Sequence, residues 1–301
     1  MLLSLREAPV AGASLAPSME GNLMKSLTIL LGIAFLTVLT AAEGFAGAWT
    51  AKQGGFYEKG SFNYYHAEKR FDSSGDRRSL PDNGEFTDIN VSNYFEYGLL
   101  DELTAITSLS YKWLESDDDL RRATAHGLGD VDLGLRYRLH QDDRTGVVST
   151  QLLVKVPGGY DKEDPLPMGN DQYDTEVRLL YGRSLYPALP GYGNVEIGYR
   201  FRAGDPSDEI RYLVEVGFDL GKKIYTRAKL DGIYSVDNGK EIDDSGNPTA
   251  TNNFDLGKLD LTLGYQATPA MGVELGYRPD VYGQNTAAGA NFSVALYFKT
   301  P

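Results

Sequence analysis

Between Asp130 and Leu139 the chain alternates without a break. Val131, Leu133, Leu135, Tyr137 and Leu139 fall on one parity, and Asp130, Asp132, Gly134, Arg136 and Arg138 on the other. Successive side chains of an extended strand point to opposite faces, so this stretch is a ribbon with one oily side and one ionic side. Ile210, Tyr212, Val214, Val216, Phe218 and Leu220 oppose Arg211, Glu215, Gly217 and Asp219 in the same way. So do Val195, Ile197, Tyr199 and Phe201 against Glu196, Gly198, Arg200 and Arg202, and Leu259, Leu261, Leu263 and Tyr265 against Lys258, Asp260, Thr262, Gly264 and Gln266. A period of two excludes amphipathic helices here and predicts an all-β chain. Periodicity alone does not say which face is interior. A soluble barrel with an apolar pocket and an inverted barrel with an ionic interior both fit.

Scanning for such runs gives about twelve, at 56–66, 87–97, 103–114, 129–139, 147–156, 172–184, 193–202, 209–220, 223–235, 255–266, 272–279 and 288–298. The connections alternate in length. Short turns fall at Gly98 to Glu102, His140 to Gly146, Tyr186 to Tyr192, Gly221 to Lys222 and Thr268 to Gly272. Longer or more polar segments fall at Ala67 to Glu85, Glu115 to Gly127, Pro157 to Asp171, Ala203 to Asp208, Val236 to Phe254 and Asp280 to Thr286. That is the pattern of an antiparallel up-and-down barrel with short periplasmic turns and longer external loops. Eleven residues at roughly 3.3 Å each, tilted by about 40 degrees, stand about 28 Å tall, close to an apolar band of about 25 Å.

The amino terminus supplies an address. Met24 and Lys25 precede an apolar run from Leu27 to Leu39, and small residues follow to Ala46-Gly47-Ala48. A positive start, an apolar core and an Ala-x-Ala site make a secretory signal peptide, here 24–48, with cleavage after Ala48 expected and after Ala46 the near alternative. Residues 1–23 read as an extension from an upstream start, and 49–301 as one barrel domain. The 301 residues carry 24% charged side chains, and no later segment is long and apolar enough for a membrane helix. Any crossing must therefore use strands. With no Cys, disulfides and thiolate metal sites are excluded.

These points favour the inverted barrel, as do aromatics near strand ends such as Tyr97, Tyr111, Trp113, Tyr186, Tyr199, Tyr265 and Tyr277, which suit a membrane interface. The last run, Ala290 to Phe298, alternates Phe292, Val294, Leu296 and Phe298 with Ser293, Ala295 and Tyr297, and resembles the closing strand of bacterial outer-membrane barrels. Lys299, Thr300 and Pro301 extend it past the usual terminal aromatic. The stretches FNYYHAEKRFDSSGDRRSL, YFEYGLLDELT, GLGDVDLGLRYRLH, RFRAGDPSDEIRYLVEVG, LGKLDLTLGYQ and ELGYRPDVYGQNTAAGANFSVALYF resemble those of the MetA-pathway phenol-degradation family of outer-membrane proteins, with relatives in Xag-type exopolysaccharide loci. The resemblance spans most of Gly54 to Phe298. It implies a transmembrane barrel, transport of small organic molecules, and an association with polysaccharide export. It carries over no catalytic residue.

Parity places a charged set inside. The expected lumen-lining residues are Asp130, Asp132, Arg136, Arg138, Lys155, Glu176, Arg178, Glu196, Arg200, Arg202, Arg211, Glu215, Arg227, Lys229, Asp231, Asp260 and Arg278, with Lys112, Lys258 and Glu274 on the same face. This lumen leans basic although the chain has a formal net charge of -13. Opposed charges can orient a permeating solute, or pair across a narrow lumen and fill it. No enzyme is expected. His66, His126 and His140 are the only histidines, none has another at metal-ligand spacing, and no GxSxG elbow is present. Gly127-Leu128-Gly129-Asp130 lacks the spacing of a dinucleotide site. No cofactor and no metal centre are expected, and interleaved acids argue against nucleic acid. The acidic loops at Asp117-Asp118-Asp119 and Asp237 to Asp244 read as solvated, with cation bridges to lipopolysaccharide as a setting.

The resulting expectation is a monomeric passive channel for small polar or aromatic organic solutes, in the outer membrane of a Gram-negative-type bacterium. Its partners would be membrane lipid, lipopolysaccharide and the barrel-assembly machinery. The alternative is an accessory protein of surface polysaccharide assembly or export.

Overall fold

The computed structural model describes residues 47–204, 206–238 and 247–300. The signal-peptide reading for 24–46, the upstream extension and the acidic stretch 239–246 lie outside the described residues.

The strands in chain order are β1 (Phe56–Ala67), β2 (Lys69–Phe71), β3 (Arg77–Ser79), β4 (Glu85–Leu100), β5 (Leu103–Asp117), β6 (Arg122–Leu128), β7 (Val131–Asp142), β8 (Gly146–Val156), β9 (Asp174–Ser184), β10 (Gly191–Arg202), β11 (Glu209–Asp219), β12 (Ile224–Ser235), β13 (Asp255–Thr268), β14 (Met271–Gln284), β15 (Thr286–Ala287) and β16 (Ala290–Lys299). Twelve of them close a single antiparallel ring, β1-β4-β5-β7-β8-β9-β10-β11-β12-β13-β14-β16 and back to β1. The seam runs in unbroken register from Tyr57 opposite Lys299 to His66 opposite Ala290. Closure satisfies backbone groups that an open edge would leave bare. Beyond the last aromatic, Thr300 clasps the seam: its hydroxyl accepts from the Phe56 amide at 2.6 Å and its own amide donates to the Phe56 carbonyl at 3.0 Å.

Which face is interior is now decided. The apolar parity points outward, with Ile197 58% and Leu133 48% exposed, while Glu96 and Glu176 are fully buried. The expected interface aromatics Tyr97, Tyr111, Trp113, Tyr199, Tyr265 and Tyr277 all lie on that exposed outer face. A one-residue slip of β11 would turn Arg211 outward, at about 2 to 4 kcal/mol for an Arg at bilayer midplane, so register is firmly set.

On the inner face, tyrosines lie against glycines directly opposite them on the next strand: Tyr192 on Gly217, Tyr225 on Gly264 and Tyr297 on Gly272. A Cβ at any of these glycines would collide with the ring or its hydroxyl. The missing side chain gives each ring room to fold down rather than cross the lumen.

Two loop expectations need correction. The segment 115–127 is not simply a connection: β6 pairs with the outer half of β5, from Tyr111 opposite Leu128 to Asp117 opposite Arg122, and continues the line of β7. The break between them is at Gly129, whose amide donates to the Ser110 carbonyl. The segment 67–85 folds into the hairpin β2/β3, and β15 adds a third strand to it. Backbone pairing continues there because twisted strands can extend beyond the apolar band as long as they find partners.

Candidate functional site: an ionic lumen plugged at both ends

The interior has three zones. At the end of the short turns, residues 47–55 enter the lumen and cross it. The Ala48 amide donates to Asn194 Oδ1 at 3.1 Å and its carbonyl accepts from Ser149 Oγ at 2.5 Å. The Trp49 carbonyl accepts from Arg136 Nη1 at 3.0 Å, and the Trp49 ring meets Tyr192 edge-on over Gly182. Ala51 N donates to Thr104 Oγ1, Thr50 Oγ1 donates to the Asp101 carbonyl, and Gly54 N and Gly98 N exchange backbone bonds with Gly98 and Gly55. Gly98 is required here, since a Cβ would strike the Lys52 carbonyl. This strap buries Ala48 and Ala51 completely and spans from β8 and β10 to the β4/β5 turn.

At the loop end, the segment after β8 folds inward. Leu166 and Met168 pack on Phe86 and Leu114, whose side chains face the interior. Asn247 Nδ2 donates to the Pro167 carbonyl at 2.7 Å, and the Pro248 carbonyl accepts from Ala287 N and Thr286 Oγ1. Tyr160 donates to Asp130.

Between these ends lies the charged wall. Lys155 bridges Asp130 at 3.2 Å and Asp174 at 3.0 Å. Arg178 holds Glu176 and Glu196, both at 2.6 Å. Arg200 lies 2.9 Å from Glu176, and Glu209 takes Arg202 at 3.1 Å and Arg211 at 2.7 Å. Arg227 holds Glu274 at 3.0 Å and approaches Glu215 at 3.9 Å, and Lys229 stands 3.7 Å from Asp260. Arg138 reaches Glu102 at the turn end, at 3.6 Å. Arg136 pairs with Glu96 at 3.0 Å. The expected basic lean is therefore largely neutralised. Cations sit within reach of carboxylates two residues along the same strand or one or two strands away, and desolvated charges persist only when so paired. Among the described residues, the side chains of Asp132, Asp231, Lys258 and Arg278 have neither a hydrogen bond nor a close ion pair. Lys112 is held loosely, 3.9 Å from Asp88 and 3.4 Å from the Met168 carbonyl.

Sequence reasoning missed Glu96, Lys59, Asp174 and Glu209, which complete these pairs, and the neutral anchors Asn194, Ser149 and Thr104. Parity could have found Glu96, which alternates with Phe95 and Tyr97. It could not have found the strap, whose bonds reach up to 146 residues along the chain. The histidines stay apart: His66 lies near Thr87 and Glu68, His140 near Thr145, and His126 beside Tyr111. In the acidic loop, Asp118 accepts from the amides of Leu120 and Arg121 and Asp119 from Asn83, so both carboxylates serve the loop's own backbone and side chains. Among the described residues no three His, Cys, Asp or Glu converge on a metal position.

A closed twelve-strand ring with an apolar exterior and ionic interior defines the class as the transmembrane β-barrel. The chain is similar to the COG4313 outer-membrane channel from Pseudomonas putida F1, with a TM-score of 0.69 and 12% identity over 84% of this chain and 98% of that one. Looser likenesses are the NanC porin, at TM-score 0.46 and 12% identity over 81% of this chain and 100% of that one, and the translocator domain of the autotransporter NalP from Neisseria meningitidis, at 0.47 and 11% over 95% and 100%. The first shows a shared fold. No protein-family profile and no curated sequence matches the chain.

Proposed function

We propose that the protein resides in a bacterial outer membrane and passes small polar or aromatic organic solutes passively, with no covalent step. The observation that supports this is the lumen: a polar cavity of about 160 Å³ remains against its inner wall, lined by β1, β4, β12, β13, β14 and β16. A barrel serving only as an anchor has no need of a polar internal space. The aromatic half of the solute class rests on the sequence resemblance alone. Lipid and lipopolysaccharide would surround the apolar belt, and the barrel-assembly machinery would insert it. The test is single-channel recording from refolded mature protein in planar bilayers. Discrete conductance steps are expected, and their absence across voltages and salts, with no solute uptake into liposomes, would sink the reading.

The plugged ends favour a second reading, an accessory role in surface polysaccharide assembly or export, in which the barrel need not conduct. A deletion strain separates the two: lost surface polymer with normal solute uptake supports the accessory role.

A further inference from the structure

The charges around the internal cavity do not balance. Among the described residues four cations line it, Lys59, Arg227, Lys229 and Arg278, against two carboxylates, Asp260 and Glu274. Glu274 is shared, taking Lys59 at 3.4 Å and Arg227 at 3.0 Å, and Asp260 faces Lys229 at 3.7 Å while accepting from Thr262. Arg278, on the same cavity wall, makes no side-chain hydrogen bond and no close ion pair among the described residues, with Asp260 in electrostatic reach but beyond contact. Elsewhere in the lumen, Arg136, Arg178, Arg200, Arg202 and Arg211 each hold a carboxylate. The acids nearby do not remedy this. Asp280 is engaged by Tyr65 Oη at 2.8 Å and the Gly289 amide at 2.9 Å. Asp231 stands directly opposite Lys258, whose side chain is itself without a hydrogen bond or close ion pair and lies outside the cavity lining.

The wall around Arg278 is built to leave room. Arg278 lies opposite Asn291 on β16, and the neighbouring pairs are Gly276 with Ser293 and Glu274 with Ala295. A side chain at Gly276 would collide with Ser293 Oγ. Small residues therefore keep the space open, while hydroxyl and amide groups offer donors beside the guanidinium. A forked guanidinium with a two-charge positive excess in a partly desolvated cavity favours a bound oxyanion, which it can grip through two parallel N–H···O bonds.

From this geometry we infer that the cavity is a binding station for small organic carboxylates, gripped by Arg278 with Lys229 as the second cation, and that dicarboxylates bind more tightly than monocarboxylates. The inference deepens the channel reading, because it names the solute class that the lumen would retain on its way through.

Binding and conduction can fail separately, so both are measured. Titration calorimetry of detergent-solubilised, folded protein with succinate should give saturable binding, with acetate weaker and the neutral isostere succinamide silent. Arg278→Gln should weaken succinate at least tenfold, Lys229→Gln should weaken it less, and Arg278→Lys should restore part of the affinity. The heat-dependent gel shift of a folded barrel confirms that each variant has closed. Absent succinate binding, equal binding of succinamide, or an Arg278→Gln variant that binds like the parent overturns the inference, even if the pore conducts. Conversely, saturable succinate binding in a protein that shows no conductance leaves the station standing and removes the channel.

Discussion

Arg136 Nη1 lies 3.0 Å from Glu96 Oε1, reaching past β5 to join β7 with β4 on the inner face. The same nitrogen donates to the Trp49 carbonyl, so one guanidinium ties the wall to the strap that crosses the lumen. Gln151 accepts from Arg136 Nε, and Tyr94 donates to Glu96. Deleting residues 47–53 removes the strap but no strand. Single-channel conductance is expected to rise several-fold with the barrel still folded, and an unchanged conductance would show that the strap does not obstruct the path. Glu96→Gln, which leaves Arg136 without its counter-charge, should give an intermediate increase.

Arg200 and Arg211 look from sequence like free selectivity charges. Both are tied to carboxylates: Arg200 to Glu176 at 2.9 Å and Arg211 to Glu209 at 2.7 Å, with each acid almost fully buried. Removing one partner of a buried pair strands the other charge, at about 3 kcal/mol per site, so Arg200→Ala with Arg211→Ala should lower the urea midpoint of the refolded barrel markedly. An unchanged midpoint together with a large shift in reversal potential would mean that these cations face permeating ions instead.

Gly264 carries the Tyr225 ring, whose hydroxyl donates to Glu274 at 2.8 Å. Gly264→Ala should displace the ring from the wall and cost about 1 to 3 kcal/mol, the usual range for overpacking. Equilibrium urea unfolding reads the cost directly. Gly54→Ala is no matched control, because Gly54 has a φ of +76°. Gly60, with open space around its Cβ position, is one, and Gly60→Ala should change stability far less.

Ala48 is fully buried, and both its amide and its carbonyl are used by lumen side chains. Gly47, at φ +74°, lies against Asn194 with no room for a side chain. Those bonds favour a mature chain that keeps Gly47 and Ala48, and so cleavage after Ala46 over cleavage after Ala48. Intact-mass measurement of the exported protein should show Gly47 at the amino terminus. A mass beginning at Trp49 would mean that the strap is anchored from Trp49 onward only.

Two loop carboxylates carry a pH signature. Backbone amides of Ser74 and Asp76 hold Asp72 below the usual carboxylate range, and those of Leu120 and Arg121 do the same for Asp118. A depressed value in the folded loop means that the stabilising bonds are complete above the ordinary carboxylate pKa, about 3.9, and are lost as pH falls through the lower folded value. The amide resonances of Leu120 and Arg121 should therefore titrate with midpoints below that of a free Asp. A midpoint at or above the free value would show that the turn does not persist in solution.

The alternation between Asp130 and Leu139, repeated around the chain, was enough to specify strands, their number and the two chemically opposite faces, because side-chain direction in a strand is a local property of the backbone. Glu96 was within reach of the same rule. Only the closed ring decided that the ionic face is the interior, since that depends on β1 meeting β16. Only the tertiary structure decided which charges are spent and which remain. Lys59 finds Glu274 across 215 residues of chain, Arg136 finds Glu96 two strands away, and Arg278 has no carboxylate within ion-pair distance among the described residues. The strap is hidden from sequence for the same reason: its short run of small residues acquires meaning only from Asn194, Ser149, Thr104 and Arg136, which the barrel brings together around it.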